Sequence, residues 1–304
     1  MTKKVTKKVT RKTVMILYKS RYILLALNHA TLKTSSLMPR FFLRIKQMDK
    51  SEIYFKTQNG ILYCGDCLEH FHNISDNAVD VILTDLPYGT TNCEWDIKIP
   101  LKPLWEQWLR VLKKNGIIIL FAQQPFATEL INSAKPPFKF RYELIWEKNC
   151  ACGFLNVKEK PLRAHENILI FHNKQPYYNP QLFKGEPYHT KASIKKEHIY
   201  SFSGEKTEIN NNGTRFPRSV LKFSREGRTK HSTEKPQKLI EWIVNSYSKQ
   251  GDTILDNCMG SGTTAAACET LQRKWIGIEK SPQWCKVIYD RLKQMEVSIC
   301  PIDQ

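Results

Sequence analysis

The sequence predicts an α/β domain: a mainly parallel sheet with helices on both faces, interrupted once by a polar, basic insertion. Three observations lead there. Short apolar runs alternate with helical-period stretches from residue 60 to 172 and again from 235 to 294. Strands separated by helices of this length argue for crossover connections. Between residues 173 and 230 the alternation dissolves into Asn, Lys, Gly, Pro and aromatic residues without a sustained period.

Taken in order, "GILYCGD" reads as a strand, "CLEHFHNI" as a short helix, and "AVDVILTDLPYG" as a buried strand ending in a polar turn. "PLWEQWLRVLKKNG" has apolar residues at helical spacing, with Gly116 as its stop. "IIILFAQQP" is a strand, "PFATELINSA" a helix, and "FRYELIWEKN" and "ENILIFHN" two more strands. After the insertion come a helix in "KPQKLIEWIVNSYSKQG", a strand in "DTILDNC" and a helix in "TTAAACETLQ". A strand in "KWIGIEK" and a closing helix in "QWCKVIYDRLKQ" complete the body. The domain reading is therefore 48–172 and 231–304 as two halves of one body, 173–230 as the insertion, and 1–47 as a basic extension.

Charge is unevenly placed. The chain carries a formal +18; residues 1–47 hold 12 Lys or Arg and no acid, and residues 173–230 hold 12 against 5. The stretch 48–172 has 14 against 15, and 231–304 has 9 against 9. A near-neutral body with two basic segments points to a polyanionic partner, nucleic acid before all, with a solvated basic face as the plain alternative. Nine scattered cysteines form no secreted disulfide framework and suit reduced thiols in a cytoplasm. Cys64 and Cys67 lack a second pair at zinc spacing, so no metal is expected. The early run "VMILYKSRYILLAL" is too short and too charged to span a bilayer, so no membrane is expected. Residues 1–47 fit a presequence, a DNA-gripping arm or sequence ahead of a natural start at Met48, and are expected to be dispensable.

"TILDNCMGSGTTAAACETLQRKWIGIEKS" carries a mechanism. A strand ends at Asp256, a turn with Gly260, Ser261 and Gly262 follows, and a small-residue helix starts at Thr263. Glycine lets the backbone approach a ligand closely, and a helix N-terminus favours an anionic group. Glu279, seventeen positions past Gly262, lies where a carboxylate can accept both hydroxyls of a ribose. A tight turn in an ordinary βαβ unit would use the same residues. Position adds to this, because only about forty residues follow Gly262 and the rest of the sheet must come from earlier in the chain. That is a permuted nucleotide-binding arrangement.

Asp85, Leu86, Pro87 and Tyr88 follow a hydrophobic strand at the edge where open α/β sheets bind ligands. They suit chemistry on an exocyclic amino group, a poor nucleophile because its lone pair is conjugated into the ring. The Asp85 carboxylate and the Leu86 carbonyl could each accept one amino hydrogen, turning the lone pair toward an electrophile. Pro87 would set the turn and Tyr88 would stack on the base. The same residues also suit an ordinary turn, with Asp as a cap, Pro and Gly as turn formers and Tyr as packing.

The parts occur in the order "GD" at 65–66, "DLPYG" at 85–89, "NCEWD", "LIWEKN", "RAHENILIF", the basic segment, "HSTEKP" at 231–236, "DNCMGSGTT" at 256–264 and "GIEKS" at 277–281. In that order, from about Met48 to about Lys293, the chain resembles the β-class amino-methyltransferases of DNA (N6-adenine or N4-cytosine). The resemblance implies a circularly permuted, Rossmann-like class I methyltransferase fold with S-adenosyl-L-methionine as cofactor. It implies that Asp66 contacts the cofactor adenine and Glu279 its ribose. Asp256, Gly260, Ser261, Gly262 and Thr263 would surround its methionine part, and Lys235 and Pro236 would open a helix that closes over it. Asp85, Leu86, Pro87 and Tyr88 would hold the target base. Two departures stand out: Leu86-Pro87 replaces the family's Pro-Pro, and Asp256-Asn257-Cys258 replaces its Asp-Pro-Phe.

The insertion corresponds to the family's target-recognition region, with eight Phe or Tyr among its twelve basic residues. Arg215, Arg218, Arg225, Arg228 and Lys230 are the candidates for phosphate or base contacts. Double-stranded DNA is the expected partner, with base flipping; a homodimer and a cognate restriction endonuclease are further candidates. The expected activity is site-specific transfer to adenine N6, with cytosine N4, an RNA or protein acceptor, and a catalytically decayed DNA-binding protein as alternatives. The expected compartment is the cytoplasm of a bacterial or phage-type host.

Overall fold

The computed structural model describes residues 53–91, 93, 96–191, 208–224 and 234–300, with the backbone of four two-residue strands at 18–19, 22–23, 193–194 and 205–206. The chain divides into units 1–50 and 51–304. In the first, Tyr18–Lys19 and Tyr22–Ile23 pair antiparallel; the rest of the basic extension lies outside the described residues. No helix among the described residues is long and apolar enough to cross a membrane.

The second unit is built on one ten-stranded sheet. Its elements are β1 (Ile53–Thr57), β2 (Gly60–Cys64), α1 (Cys67–His70), β3 (Val79–Asp85) and α2 (Leu101–Val111). β4 (Leu112–Ala122), α3 (Phe126–Ser133), β5 (Lys139–Cys152), β6 (Arg163–His172) and β7 (Val220–Lys222) follow. The last are α4 (Gln237–Tyr247), β8 (Thr253–Asp256), α5 (Thr263–Thr270), β9 (Lys274–Glu279), α6 (Pro282–Gln294) and β10 (Ile299–Cys300). The strand order is β7-β5-β6-β4-β3-β8-β9-β2-β1-β10. The central run β4-β3-β8-β9-β2 is parallel. β6 runs antiparallel between β4 and β5, and β1 and β10 are antiparallel at the other edge. This is a Rossmann-like sheet in which the last βαβ unit of the chain sits at the centre.

Strand alternation sorts the core into two layers. Val81, Leu83, Ile117 and Ile119 face a cluster with Leu239 and Ile243 of α4, Ala266 of α5 and Ile288 of α6. Ile82, Ile118 and Leu120 face Leu104, Trp105 and Trp108 of α2 and Phe126 and Leu130 of α3. The helices before the insertion thus cover one face and those after it the other. Neighbouring β3 and β8 lead into crossovers on opposite faces, which opens a crevice at their C-terminal ends.

Two expectations change. The helix in "PLWEQWLRVLKKNG" ends at Val111, and Leu112–Gly116 belong to β4. Leu112 pairs with Val79 before the register slips to Val81–Ile117. The extra residues form an irregularity there, across which Lys113 reaches Asp80 at 2.7 Å. Residues 173–230 are not wholly an insertion either, because Val220–Lys222 pairs parallel with β5 and Leu221 is buried in the core. Within the segment, nested antiparallel pairs join 183–184 to 214–215, 188–190 to 209–211 and 193–194 to 205–206. The side chains described on the first two pairs are mostly exposed. A ribbon without an apolar face leaves no period to read.

Candidate active site

A cleft of about 840 Å³ opens at the β3/β8 crevice. Asp66, Asp85, Leu86, Pro87, Tyr88, Lys235, Asp256, Gly260, Ser261, Thr263 and Glu279 line it, drawn from both sides of the insertion. Parallel pairing sets Cys64 beside Glu279 and brings the acids that follow β2 and end β9 together. Gly65 N–H donates to the Glu279 carbonyl at 2.9 Å, closing that edge.

On the glycine-rich side, Asp256 ends β8, is buried, and accepts from Thr264 Oγ1 at 2.7 Å and Cys258 N–H at 3.1 Å. Burial pushes its carboxyl up to about 6 despite those bonds. Glu279 accepts Gly260 N–H and Ser281 N–H, both at 2.8 Å, one on each oxygen, and burial also raises its carboxyl. Asp66 caps α1 by accepting Leu68 N–H at 3.0 Å, with Lys280 Nζ 3.3 Å from its other oxygen. Gly260 and Gly262 have φ of 54° and 79°, where a side chain is strained. A Cβ on Gly262 would also stand 2.9 Å from Ile288, whereas one on Gly260 would meet nothing closer than 4.0 Å. Gly262 therefore packs the turn onto α6, and Gly260 leaves its backbone open. Pro236 and Gly262 do not line the cleft; they are the cap residues that start α4 and α5.

On the β3 side, Tyr88 Oη donates to Asp85 Oδ1 at 2.7 Å, and its ring lies 5.5 Å from Phe126. Burial, then the nearby Asp85 and Glu166, push the Tyr88 hydroxyl well above the usual phenol range. The Leu86 side chain is buried in the core. Lys235, expected against the cofactor, lines the cleft and directs its ammonium to Asp85 Oδ2, with Glu166 Oε2 at 3.2 Å and the Phe121 ring centroid at 4.9 Å. Two carboxylates facing one enclosed cation hold it there. Lys148 pairs with the other Glu166 oxygen.

The two described candidates on the insertion differ. Arg215 bonds Asn211 Oδ1, the Thr214 carbonyl at 3.0 Å and the Glu186 carbonyl, and lies 4.6 Å from the Tyr188 ring centroid. It braces the ribbon. Arg218 is exposed. Arg225, Arg228 and Lys230 lie outside the described residues.

A family model described as DNA methylase (N6/N4 type) matches residues 79–290, more than half of the chain. The chain belongs to the N6/N4 DNA methylase family. The chain is 28% identical over 263 residues to the type II methyltransferase M.BamHI of Bacillus amyloliquefaciens, covering 80% of this chain and 59% of that protein. Its fold is that of the M1.HpyAVI–SAM complex (TM-score 0.52, 22% identity, 76% of this chain and 98% of that one). It is also that of the PvuII cytosine-N4-specific DNA methyltransferase (TM-score 0.55, 16% identity, 80% and 89%). These two likenesses concern the fold, a class I methyltransferase sheet.

Several residues around the cleft received no role from the motif reading. Asp96 fixes the loop after Tyr88 by accepting Gly89, Thr90 and Thr91 N–H at 2.7–2.8 Å and Thr91 Oγ1 at 2.8 Å. Burial opposes its charge, but these bonds hold its carboxyl below the usual range. Arg291 of α6 braces the glycine turn through the Ser261 carbonyl at 3.0 Å and Thr263 Oγ1 at 2.9 Å. Asn257, one of the departures from the family pattern, is buried and accepts Trp108 Nε1–H at 3.0 Å, tying the turn to α2. Glu166 and Lys148 gave a faint signal as charges within strands. Asp96 ends "NCEWD" and Asn257 departs from the family pattern, but neither position announces its partners, and Arg291 gave no signal, since these partners are distant in sequence or in loop backbone.

Proposed function

We propose that this chain transfers a methyl group from S-adenosylmethionine to an exocyclic amino nitrogen of a base in double-stranded DNA, adenine N6 being the acceptor. The supporting observation is that the Asp85–Tyr88 turn and the glycine turn open into one cleft, at the ends of two adjacent strands. The lining fits the cofactor. Asp66 and Glu279 offer carboxylate oxygens with lone pairs beyond those their backbone partners use. Gly260 leaves room against the backbone, and the cleft volume lies in the range of ordinary ligand sites. Asp66 would hold the adenine, Glu279 the ribose, and Asp256 with the turn 260–263 the methionine part. When bound, the group supplies an electrophilic methyl on a sulfonium.

The chain's own residues supply orientation. Tyr88 Oη fixes the rotamer of Asp85, which accepts one amino hydrogen of the base while the Leu86 carbonyl accepts the other. The nitrogen lone pair then turns out of conjugation toward the methyl. Positioning and fixed dipoles of this kind supply several powers of ten in rate. A base in a duplex is out of reach of such a pocket, so it must be flipped out at a cost of about a few kcal/mol. The exposed basic residues of the insertion, Arg218 among those described, would hold the backbone while this happens. Adenine is preferred because the motif begins with Asp, which in the resembling family more often accompanies adenine.

The test is incubation with methyl-labelled S-adenosylmethionine and DNA from a methylation-free host, followed by mass spectrometry of the nucleosides. N6-methyladenine is the expected product. N4-methylcytosine alone would overturn the adenine assignment, and transfer only to RNA or protein would overturn the DNA substrate.

A further inference from the structure

Asp85 begins a row of four side chains that alternate in charge: Asp85, Lys235, Glu166 and Lys148. The Lys235, Glu166 and Lys148 side chains are 9%, 6% and 5% exposed, against 31% for Asp85; of the four, Asp85, Lys235 and Glu166 line the cleft. They come from four places in the chain: the end of β3, the residue before the α4 cap, β6 and β5. Buried charges are retained only when paired, so removing one partner strands another. Gln123 Nε2 adds a bond to Glu166 Oε1 at 3.3 Å, while Glu166 Oε2 faces the Lys235 ammonium.

The ammonium of Lys235 presents to Asp85 the same kind of N–H donor that a base amino group would present. Two donors therefore compete for one carboxylate, and the resident one is a buried cation. With Glu166 in place, Lys235 keeps a carboxylate partner when its bond to Asp85 loosens. With Glu166 neutral, Asp85 is the carboxylate left to it among the four.

We infer that Glu166 is a positioning residue: it shares Lys235 with Asp85, so that the ammonium withdraws onto Glu166 when the target amino group engages Asp85. Glu166 acts through Lys235; it borders the cleft with only 6% of its side chain exposed. The inference rests on the methyl transfer proposed above.

Two variants test it. The pair Lys148→Met with Glu166→Gln leaves Lys235 facing Asp85 as its one carboxylate, and adding Lys235→Met to that pair gives a triple variant that removes the competing ammonium without stranding Lys148. Single-turnover and steady-state transfer to methylation-free genomic DNA would be measured beside cofactor and DNA affinity. The pair is expected to keep both affinities within about twofold and to lose about a hundredfold in kcat, the scale of a misplaced reacting group. The triple variant is expected to turn over at least about tenfold faster than the pair. Wild-type turnover in the pair, or a triple variant no faster than the pair, would overturn the inference. Glu166→Asp keeps every charge and guards against misfolding of these variants. Its shorter reach should lower kcat about tenfold at unchanged DNA affinity, and an unchanged kcat would overturn the inference. Absence of DNA methylation by the wild type would instead count against the proposed function.

Discussion

The cleft and the ribbon of the basic segment are made by opposite means. In the cleft nearly every polar group has a partner from another element: Asp85 with Tyr88 and Lys235, Asp256 with Thr264, Glu279 with Gly260, Asn257 with Trp108. In the ribbon the described strands expose their side chains, and the contacts around Arg215 stay within the ribbon itself. A pocket that must orient a weak nucleophile needs long-range bonds that hold each group to a fraction of an ångström. A surface that meets a polyanion needs unpaired cations instead, and its affinity is carried by charge more than by shape. Substitutions in the cleft should therefore act on turnover and stability, and those in the ribbon on DNA affinity.

The largest expected effect is Asp85→Ala, which should lower methyl transfer by at least about a thousandfold while calorimetry finds cofactor affinity nearly unchanged. Retained turnover would place the chemistry elsewhere. The second is a pH effect at Asp256, whose carboxyl rises from 3.8 to about 6 on folding. A raised carboxyl stabilises the fold when protonated, at pH below 3.8, and that stability is lost as pH rises through 6. Asp256→Asn should flatten this decline, by up to about 3 kcal/mol, in urea titrations. Glu166, held low by its lysines against burial, works in the other direction, losing its contribution as pH falls below 4.5. Comparing the variant with wild type cancels that background.

Next is Gly262→Ala. Positive φ and the approach to Ile288 should cost about 1–3 kcal/mol and weaken cofactor binding, read by thermal shift and calorimetry. Trp108→Phe leaves the Asn257 oxygen unpaired and should cost about 1–3 kcal/mol at wild-type DNA affinity. The smallest effect separates the two regions most cleanly. Arg218→Glu should weaken DNA binding and lower its salt slope by about one while leaving stability unchanged. Arg215→Ala should loosen the ribbon, read as faster amide exchange in 183–190 and 209–215. Equal behaviour of the two variants would erase the distinction drawn between them.

The central elements were legible in the sequence because periodicity and turn chemistry are local. Asp85 after "VDVILT" and Gly260–Gly262 after "TILD" announce strand ends by apolar runs and by residues with special backbone freedom. The ribbon was not legible, since a strand without a buried face has no alternation. Gly116 misled because a glycine after a helical run reads as a stop, whereas here the helix had ended five residues earlier and a strand had begun. The partners of Lys235 were not legible because its motif position speaks for its neighbours in the chain, and those partners are on β3 and β6.

What this sequence determined unaided was the alternation of strands and helices, the order of its motifs, and hence a permuted sheet with a carboxylate and a glycine turn at strand ends. Only the tertiary structure decided that Lys235 sits between Asp85 and Glu166, that Asn257 leans on Trp108, and that Val220–Lys222 returns to the sheet. Local patterns reflect how each residue prefers to arrange its own backbone. Buried ion pairs and sheet neighbours arise between segments far apart in the chain, where desolvation selects partners that no nearby sequence specifies.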